Sequence, residues 1–401
     1  MMKIKIIVMI LLVLPTYIFS QNNFLGFSPR TVDARSIAMG KTGIVSATGS
    51  NAIFSNPAMI ASFNKTKMQA GFRVIGGTVE DEWAEDYYYS YDLTFPPHFS
   101  INHISFSMPY KLSGSVAKLA LGMGYRTYFD WGYNLEEEST DDDYYSGSGD
   151  QTTTEISSNG GLNVITPTIA ISLQNNLFLG ITLNRSIGGK IETESTTTGE
   201  YGDVVKYEEE IEHSASFWKF SGLLKANQYL TLGFSYTPEF EWEIEEVDWT
   251  ESYDGYNESG TDSEDMTYDI PALLVLGGSF QLSPKLLLVG EYQSRNFSDL
   301  KSSEYGLTGL DDGACYRFGL ESRGYPLSLR MGYFSDAVMA TDSGDDDPVS
   351  LSGFTGGFGY DIGSMYLDVY AEYSSITTDG YGGDDTAVIL YELGLSVNYK
   401  F

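Results

Sequence analysis

From Thr66 to Phe401 the chain is a string of alternating apolar and polar residues, cut by connectors of two kinds that take turns. Every second connector is short: Gln174–Asn175, Ala226–Gln228, Ser283–Pro284, Arg323–Gly324 and Asp361–Gly363. The intervening ones are long, polar and acidic. Seven stretches (78–96, 132–158, 192–213, 241–269, 296–312, 336–347 and 377–385) hold 46 of the 55 Asp and Glu residues, against two basic residues, Lys206 and Lys301. Alternation with period two is the mark of a strand with unlike faces, and a soluble β-sandwich shows it too. Sorting of charge by connector parity has no place in a sandwich. It is what a barrel in an outer membrane requires, with tight turns at one rim and long loops at the other.

The last segment shows the two faces best. Ala387, Ile389, Tyr391, Leu393, Leu395, Val397, Tyr399 and Phe401 share one side, and Glu392, Gly394, Ser396, Asn398 and Lys400 the other. Met365 to Tyr373, Leu327 to Tyr333 and Leu230 to Tyr236 divide in the same way. About fourteen such strands fit between Thr66 and Phe401, an even number as single-chain bacterial barrels require. The expected fold class is therefore all-β, a transmembrane antiparallel barrel covering 66–401. A terminal Phe on the lipid face also suits recognition by barrel-assembly machinery. Arg185 breaks the apolar face of its strand, which predicts a bulge near Asn184–Gly189 or a place at headgroup level.

Ahead of the barrel stand two further regions. Residues 1–20 read as a secretory signal peptide: Lys3 and Lys5, an apolar run from Ile6 to Leu14, and a small residue at Ser20. The run is shorter than the ~20 residues of a spanning helix, and no Cys follows it to carry a lipid anchor. Residues 21–65 are rich in Ala and Gly and make neither a good strand nor an amphipathic helix. Such a stretch buries little of its own surface and stays ordered only inside a wall. A barrel of fourteen strands encloses more space than its own side chains fill, so 21–65 is expected as a plug in the lumen.

The formal net charge of −32 excludes a nucleic-acid partner, which needs a basic face. The single Cys315 excludes an intramolecular disulfide framework.

Three collinear stretches carry a family resemblance. The plug holds Asn56-Pro57-Ala58, then Met59-Ile60-Ala61-Ser62-Phe63 and the first strand Met68-Gln69-Ala70-Gly71-Phe72. The middle holds Asp269-Ile270-Pro271-Ala272, Leu276-Gly277 and Leu282-Ser283-Pro284-Lys285. Further on come Tyr316-Arg317-Phe318-Gly319-Leu320-Glu321 and Leu329-Arg330-Met331-Gly332-Tyr333. Together they resemble the outer-membrane hydrophobic-compound transporters of the long-chain fatty-acid type, the FadL/TodX family. The resemblance implies a monomeric plugged barrel that captures a fatty acid or neutral hydrocarbon at its outer loops, holds it in an upper lumen pocket and releases it sideways into membrane lipid. It implies plug gating at Asn56, Pro57 and Ala58, and a gap beside an inward-kinked third strand, for which Gly122 and Gly124 are candidates. Packing of those glycines against the plug is an equal reading.

Enzymatic chemistry has little support, and no cofactor is expected. His103 and Ser105 stand two apart, but Ile104, Phe106 and Met108 form the apolar face, so the pair should look into the lumen. Lumen-facing Arg73, Arg126, Arg317 and Arg330 are expected in ion-pair ladders with Glu291, Glu321, Asp368, Glu372 and Glu392, where one of them could also hold a ligand carboxylate. Asp141–Asp143, Asp254–Asp265 and Asp345–Asp347 offer carboxylates to bridging divalent cations, without the order of an EF-hand; solvated loops are the simpler reading. The alternative function is a non-transporting barrel that anchors or shuttles secreted and surface proteins with the same Asn-Pro-Ala plug.

Overall fold

The computed structural model describes residues 31–401 apart from 82–88, 112–117, 143–148, 174, 200–203, 254–255, 263–265, 304–309, 311, 339–349 and 380–384. The signal-peptide segment and plug residues 21–30 lie outside the described residues. Fourteen staves cross the wall in chain order: β1 (Lys67–Asp81), β2 (Tyr89–Lys111), β3 (Lys118–Asp130, then Tyr133–Asp142), β4 (Gly149–Ile165, then Thr168–Ser172) and β5 (Leu177–Ser186, then Gly189–Gly199). They continue as β6 (Val204–Lys225), β7 (Leu230–Thr237, then Phe240–Tyr253), β8 (Tyr256–Asp262, Met266–Ile270 and Leu273–Ser283), β9 (Leu286–Arg295) and β10 (Gly313–Ser322). The last are β11 (Leu327–Ala337), β12 (Ser350–Asp361), β13 (Met365–Asp379) and β14 (Asp385–Lys400).

Each stave pairs antiparallel with its neighbours in sequence, and β1 closes on β14 from Lys67↔Lys400 to Asp81↔Thr386. Counted by unbroken segments, a closed path can be drawn through sixteen strands. Tyr133–Asp142 and Gly149–Ile165 give a second route from β2 to the inner half of β3, and the other segments are outward extensions. The alternation read from the sequence is the inside–outside division of the wall. Tyr391, Leu393 and Tyr399 are exposed while Glu392, Ser396 and Asn398 are buried. The exposed Leu, Phe, Met and Tyr side chains of β2, β6, β8 and β11 repeat this around the ring.

One expectation needs correction. The acidic stretches 132–158, 192–213 and 241–269 were expected as loops, but most of each is strand continuing the wall outward. Their Thr, Val, Trp and Tyr residues favour the pleated conformation, and cross-strand Thr pairs such as Thr154–Thr197 hold the ladders. At Arg185 the expected irregularity is present. β5 is interrupted at Ile187–Gly188, with Gly188 at φ +53°, and Arg185 itself is exposed.

Candidate functional site

Residues 31–65 fill the lumen toward the short-turn end. Asp33 caps a short helix α1 (Ala34–Ile37) by accepting the Ser36 N–H, and a second, α2 (Ala52–Ser55), leads into a 3-10 turn at Pro57–Ser62. Short helices suit this segment because Ala and Ser leave room for backbone to approach backbone. The wall answers with glycine. A Cβ on Gly332 would lie 2.6 Å from Gly40 Cα and nearer still to Gly40 N, and one on Gly319 would sit 2.5 Å from Met39. Gly122 and Gly124 belong to the same set: a Cβ there would meet Ile53 at 2.8 and 2.6 Å. Both glycines thus pack the plug, and the β2–β3 ladder runs unbroken past them through Ser107↔Gly122 and Ser105↔Gly124.

Asn56, Pro57 and Ala58 form a clamp. The Asn56 side chain donates to Ile44 O at 2.8 Å and to Gly222 O of β6 at 3.1 Å, and accepts the Ala58 N–H at 3.1 Å. It therefore ties two plug segments to the wall while capping the 3-10 turn. Pro57 occupies the first turn, where a missing N–H costs nothing. Ala58 N–H also donates to Ser221 Oγ at 2.9 Å, so the plug is fastened to β6 on both sides of the proline.

Buried charge locks the rest. Glu321 receives Arg35 of the plug, Arg330 and Arg323, while Arg330 also reaches Asp368 at 2.6 Å. Glu291 accepts the plug N–H groups of Gly43 and Ile44 at 2.8 and 3.0 Å and pairs with Arg317, which holds Asp336 at 2.9 Å. Lys41 meets Glu372 at 2.8 Å, and Arg73 bridges Asp130 and Glu392. The expected ladders thus exist for Arg73, Arg317 and Arg330. Arg126 is placed differently, its guanidinium over the rings of Tyr128 and Phe54 at 4.5 and 5.4 Å. Farther out, in the acidic extensions, burial pushes the carboxyls of Glu137 and Glu209 up.

Above the plug the lumen changes character. Tyr128, Phe129, Trp131, Phe217, Phe240, Trp242 and Tyr268 form a continuous aromatic cluster, with Phe217 stacked on Phe240 at 4.1 Å and Trp131 on Trp242 at 5.1 Å. A cavity of about 30 Å³ opens between Tyr128, Phe240, Ile270, Phe297 and Leu300. Nearer the plug a cavity of about 50 Å³ is lined by Asp33, Arg126, Lys219, Glu291 and Arg317. A dry cavity that takes benzene measures about 150 Å³, so both are smaller than a benzene-sized guest needs. The first is apolar and the second is polar enough for water.

The wall is interrupted beside this cluster. β2 pairs with β3 from His103↔Arg126 to Lys111↔Lys118, and again from Tyr89↔Asp141 to Thr94↔Glu136. Between these ladders, residues 95–102 face 127–135 without pairing. The cause is in the sequence: Pro96 and Pro97 supply no N–H, and Tyr128 and Phe129, though consecutive, are both buried. The third stave carries a register shift between Thr127 and Phe129, beyond Gly122 and Gly124. His98 reaches across, since a Cβ on Gly132 would meet its Nε2 at 2.5 Å. The Pro-Pro pair was the signal that could have found this unpaired stretch, but it sits at the end of stretch 78–96, which reads as loop.

His103 and Ser105 are buried against the plug, Ser105 within 2.8 Å of Ser50 Oγ and His103 edge-on to Phe54. Packed in this way they line the lumen, as their strand parity requires. The candidate cation loops lie partly or wholly outside the described residues. Among the described residues no three His, Cys, Asp or Glu side chains gather as a metal site.

A family model described as BamG matches residues 1–321. No curated protein matches. Among solved structures, the P. putida toluene transporter TodX is similar at 13% identity and TM-score 0.58, over 93% of this chain and 98% of that one. The Ralstonia pickettii toluene transporter TbuX gives 14% and 0.59 over 91% and 97%, and a Pseudomonas aeruginosa FadL homologue 13% and 0.56 over 93% and 98%. At such identities the likeness is one of fold, a FadL-type barrel.

Proposed function

We propose, from the premise that this chain belongs to the BamG family, that it is a plugged outer-membrane barrel passing hydrophobic small molecules passively into the membrane. The observation that carries this reading is a shared set of residues. Tyr128, Phe129 and Trp131 belong both to the aromatic cluster and to the stretch where β3 leaves β2. A guest held among those rings would be next to the unpaired stretch of wall and, through it, to lipid. The toluene transporters TodX and TbuX, alike in fold, add support.

In this reading an apolar solute enters at the long-loop end and displaces rings from the cluster. It gains about 25 cal/mol per Å² of surface removed from water, so no energy source is needed. His98 and the Arg73–Asp130 pair close the side exit, and the clamp at Asn56, Pro57 and Ala58 sets how far the plug can move. Arg126, already lying on aromatic faces, is the lumen arginine placed to meet a ligand carboxylate. The protein works as a monomer among outer-membrane lipids, with barrel-assembly machinery as the partner that inserts it. Divalent cations at the acidic rim are a further partner class.

A second reading has its own support. The family description BamG and the tightly filled lumen favour a barrel that acts as a fixed component or anchor alongside assembly machinery. Uptake of labelled toluene and of a long-chain fatty acid, compared between cells with and without the gene, tests the choice. Loss of uptake on deletion, restored by the gene, is expected. Unchanged uptake, with the protein co-purifying with assembly factors, gives the second reading the field.

A further inference from the structure

At the short-turn mouth five lysines crowd one arc of the rim: Lys400 on β14, Lys67 on β1, Lys111 on β2, Lys118 on β3 and Lys225 on β6. Strand parity turns all five toward the barrel axis. Lys67 precedes buried Gln69, Lys118 precedes buried Ala120, Lys225 follows buried Leu223, Lys400 follows buried Asn398, and Lys111 continues the row of buried Ser105 and Ser107. Contacts agree for four of them. Lys67 lies over Phe63 at 3.6 Å, Lys118 donates to Asn64 Oδ1 at 2.7 Å, Lys225 lies over Phe178 at 5.1 Å and Lys400 over Tyr366 at 5.5 Å.

The arrangement works against the wall's own stability. Lys67 stands directly opposite Lys400, and Lys111 directly opposite Lys118, where like charges on paired strands repel. Among the described residues no carboxylate lies within ion-pair distance of any of the five. In a chain of net charge −32, carboxylates were plentiful enough to neutralise this arc. From β14 to β6 there are six inter-strand steps, an arc of roughly 29 Å at about 4.8 Å per step. That is too long for one phosphate or carboxylate ion. Because the ammonium groups face the axis, they are turned away from leaflet headgroups and toward whatever approaches the mouth from below.

We infer that this mouth docks an acidic face of a periplasmic polypeptide, held by Lys111, Lys225 and Lys400, while Lys67 donates to Thr48 O and Lys118 to Asn64 Oδ1 of the plug. The surface rests on the membrane orientation proposed above, and its test is separable from transport.

The full chain in nanodiscs is titrated with a fluorescein-labelled glutamate-rich peptide, with the glutamine version of that peptide as control. The variant is Lys111→Gln with Lys225→Gln and Lys400→Gln, three lysines that make no hydrogen bond to the plug among the described residues. Expected is salt-sensitive binding of the glutamate peptide alone, weakened at least roughly tenfold in the variant, with heat-modifiable mobility and small-molecule uptake unchanged. Equal binding by variant and parent overturns the inference, as does equal binding of the glutamine peptide. So does complete displacement of the peptide when phosphatidylglycerol replaces neutral lipid in the disc, which would make the arc a lipid contact.

Discussion

Gly332→Ala tests whether the plug is held by close backbone contact. The added methyl would sit 2.6 Å from Gly40 Cα and closer to Gly40 N, where ordinary contact begins near 3.4 Å. Neither partner is the end of a flexible side chain, so the Gly40 turn must retreat. That turn is pinned from the other side by its N–H on Thr355 Oγ1 at 2.8 Å, and Met39 is already tight against Gly319. Overpacking costs about 1–3 kcal/mol and the lost buried hydrogen bond about 1 kcal/mol, so about 3 kcal/mol is taken from plug docking. At 1.4 kcal/mol per decade this lowers the docked-to-undocked ratio by about two powers of ten. Gly356→Ala, one stave over, is the control, because its nearest neighbour is Arg330 O at 3.9 Å. Planar-bilayer recording should show transient openings about a hundredfold more frequent in Gly332→Ala than in Gly356→Ala, with both barrels heat-modifiable on gels. Identical traces from the two variants would refute the idea that backbone contact keeps the lumen shut.

Asn56→Ala combined with Pro57→Ala removes three hydrogen bonds and the pre-set turn; protease trimming of 31–65 should quicken and uptake slow, and unchanged uptake would count against plug gating. Glu321→Gln leaves Arg35 and Arg330 buried beside a neutral acceptor, a loss of about 3–5 kcal/mol read as a lower unfolding temperature in detergent; a shift no larger than that of the surface change Lys285→Gln would contradict it. Phe297→Ala widens the 30 Å³ cavity toward the roughly 150 Å³ that admits benzene, so retention of toluene by the purified protein should rise, and a fall would argue against the aromatic cluster as the site.

How far the chain could be read depends on range. The staves and short turns were legible because alternation is local and each face of the wall meets a different solvent. The Tyr391/Glu392 division is plain in the sequence and plain in the structure. The plug's place was legible as a need for enclosure, yet the wall glycines that receive it were not, because Gly319, Gly332 and Met39 are far apart in the chain. Asn56, Pro57 and Ala58 stood out as a motif, but what Asn56 holds, Gly222 of β6, is a tertiary fact. The acidic extensions were missed as strands because charge suggested solvent, and solvent does lie on one side of them; Thr and aromatic residues on the other kept the ladders. Arg126 was grouped with the other lumen arginines, and parity alone does not show that it lies on the rings of Phe54 and Tyr128.

The ladder from Lys67↔Lys400 to Asp81↔Thr386 has a consequence for how this protein is made. Among the described residues the other ladders between staves join hairpin neighbours, so the ribbon can lengthen two strands at a time, while this one waits for the sixteen residues of β14 to arrive. A chain stopped short of residue 385 would lack both the β13–β14 hairpin and the ladder that closes the ring.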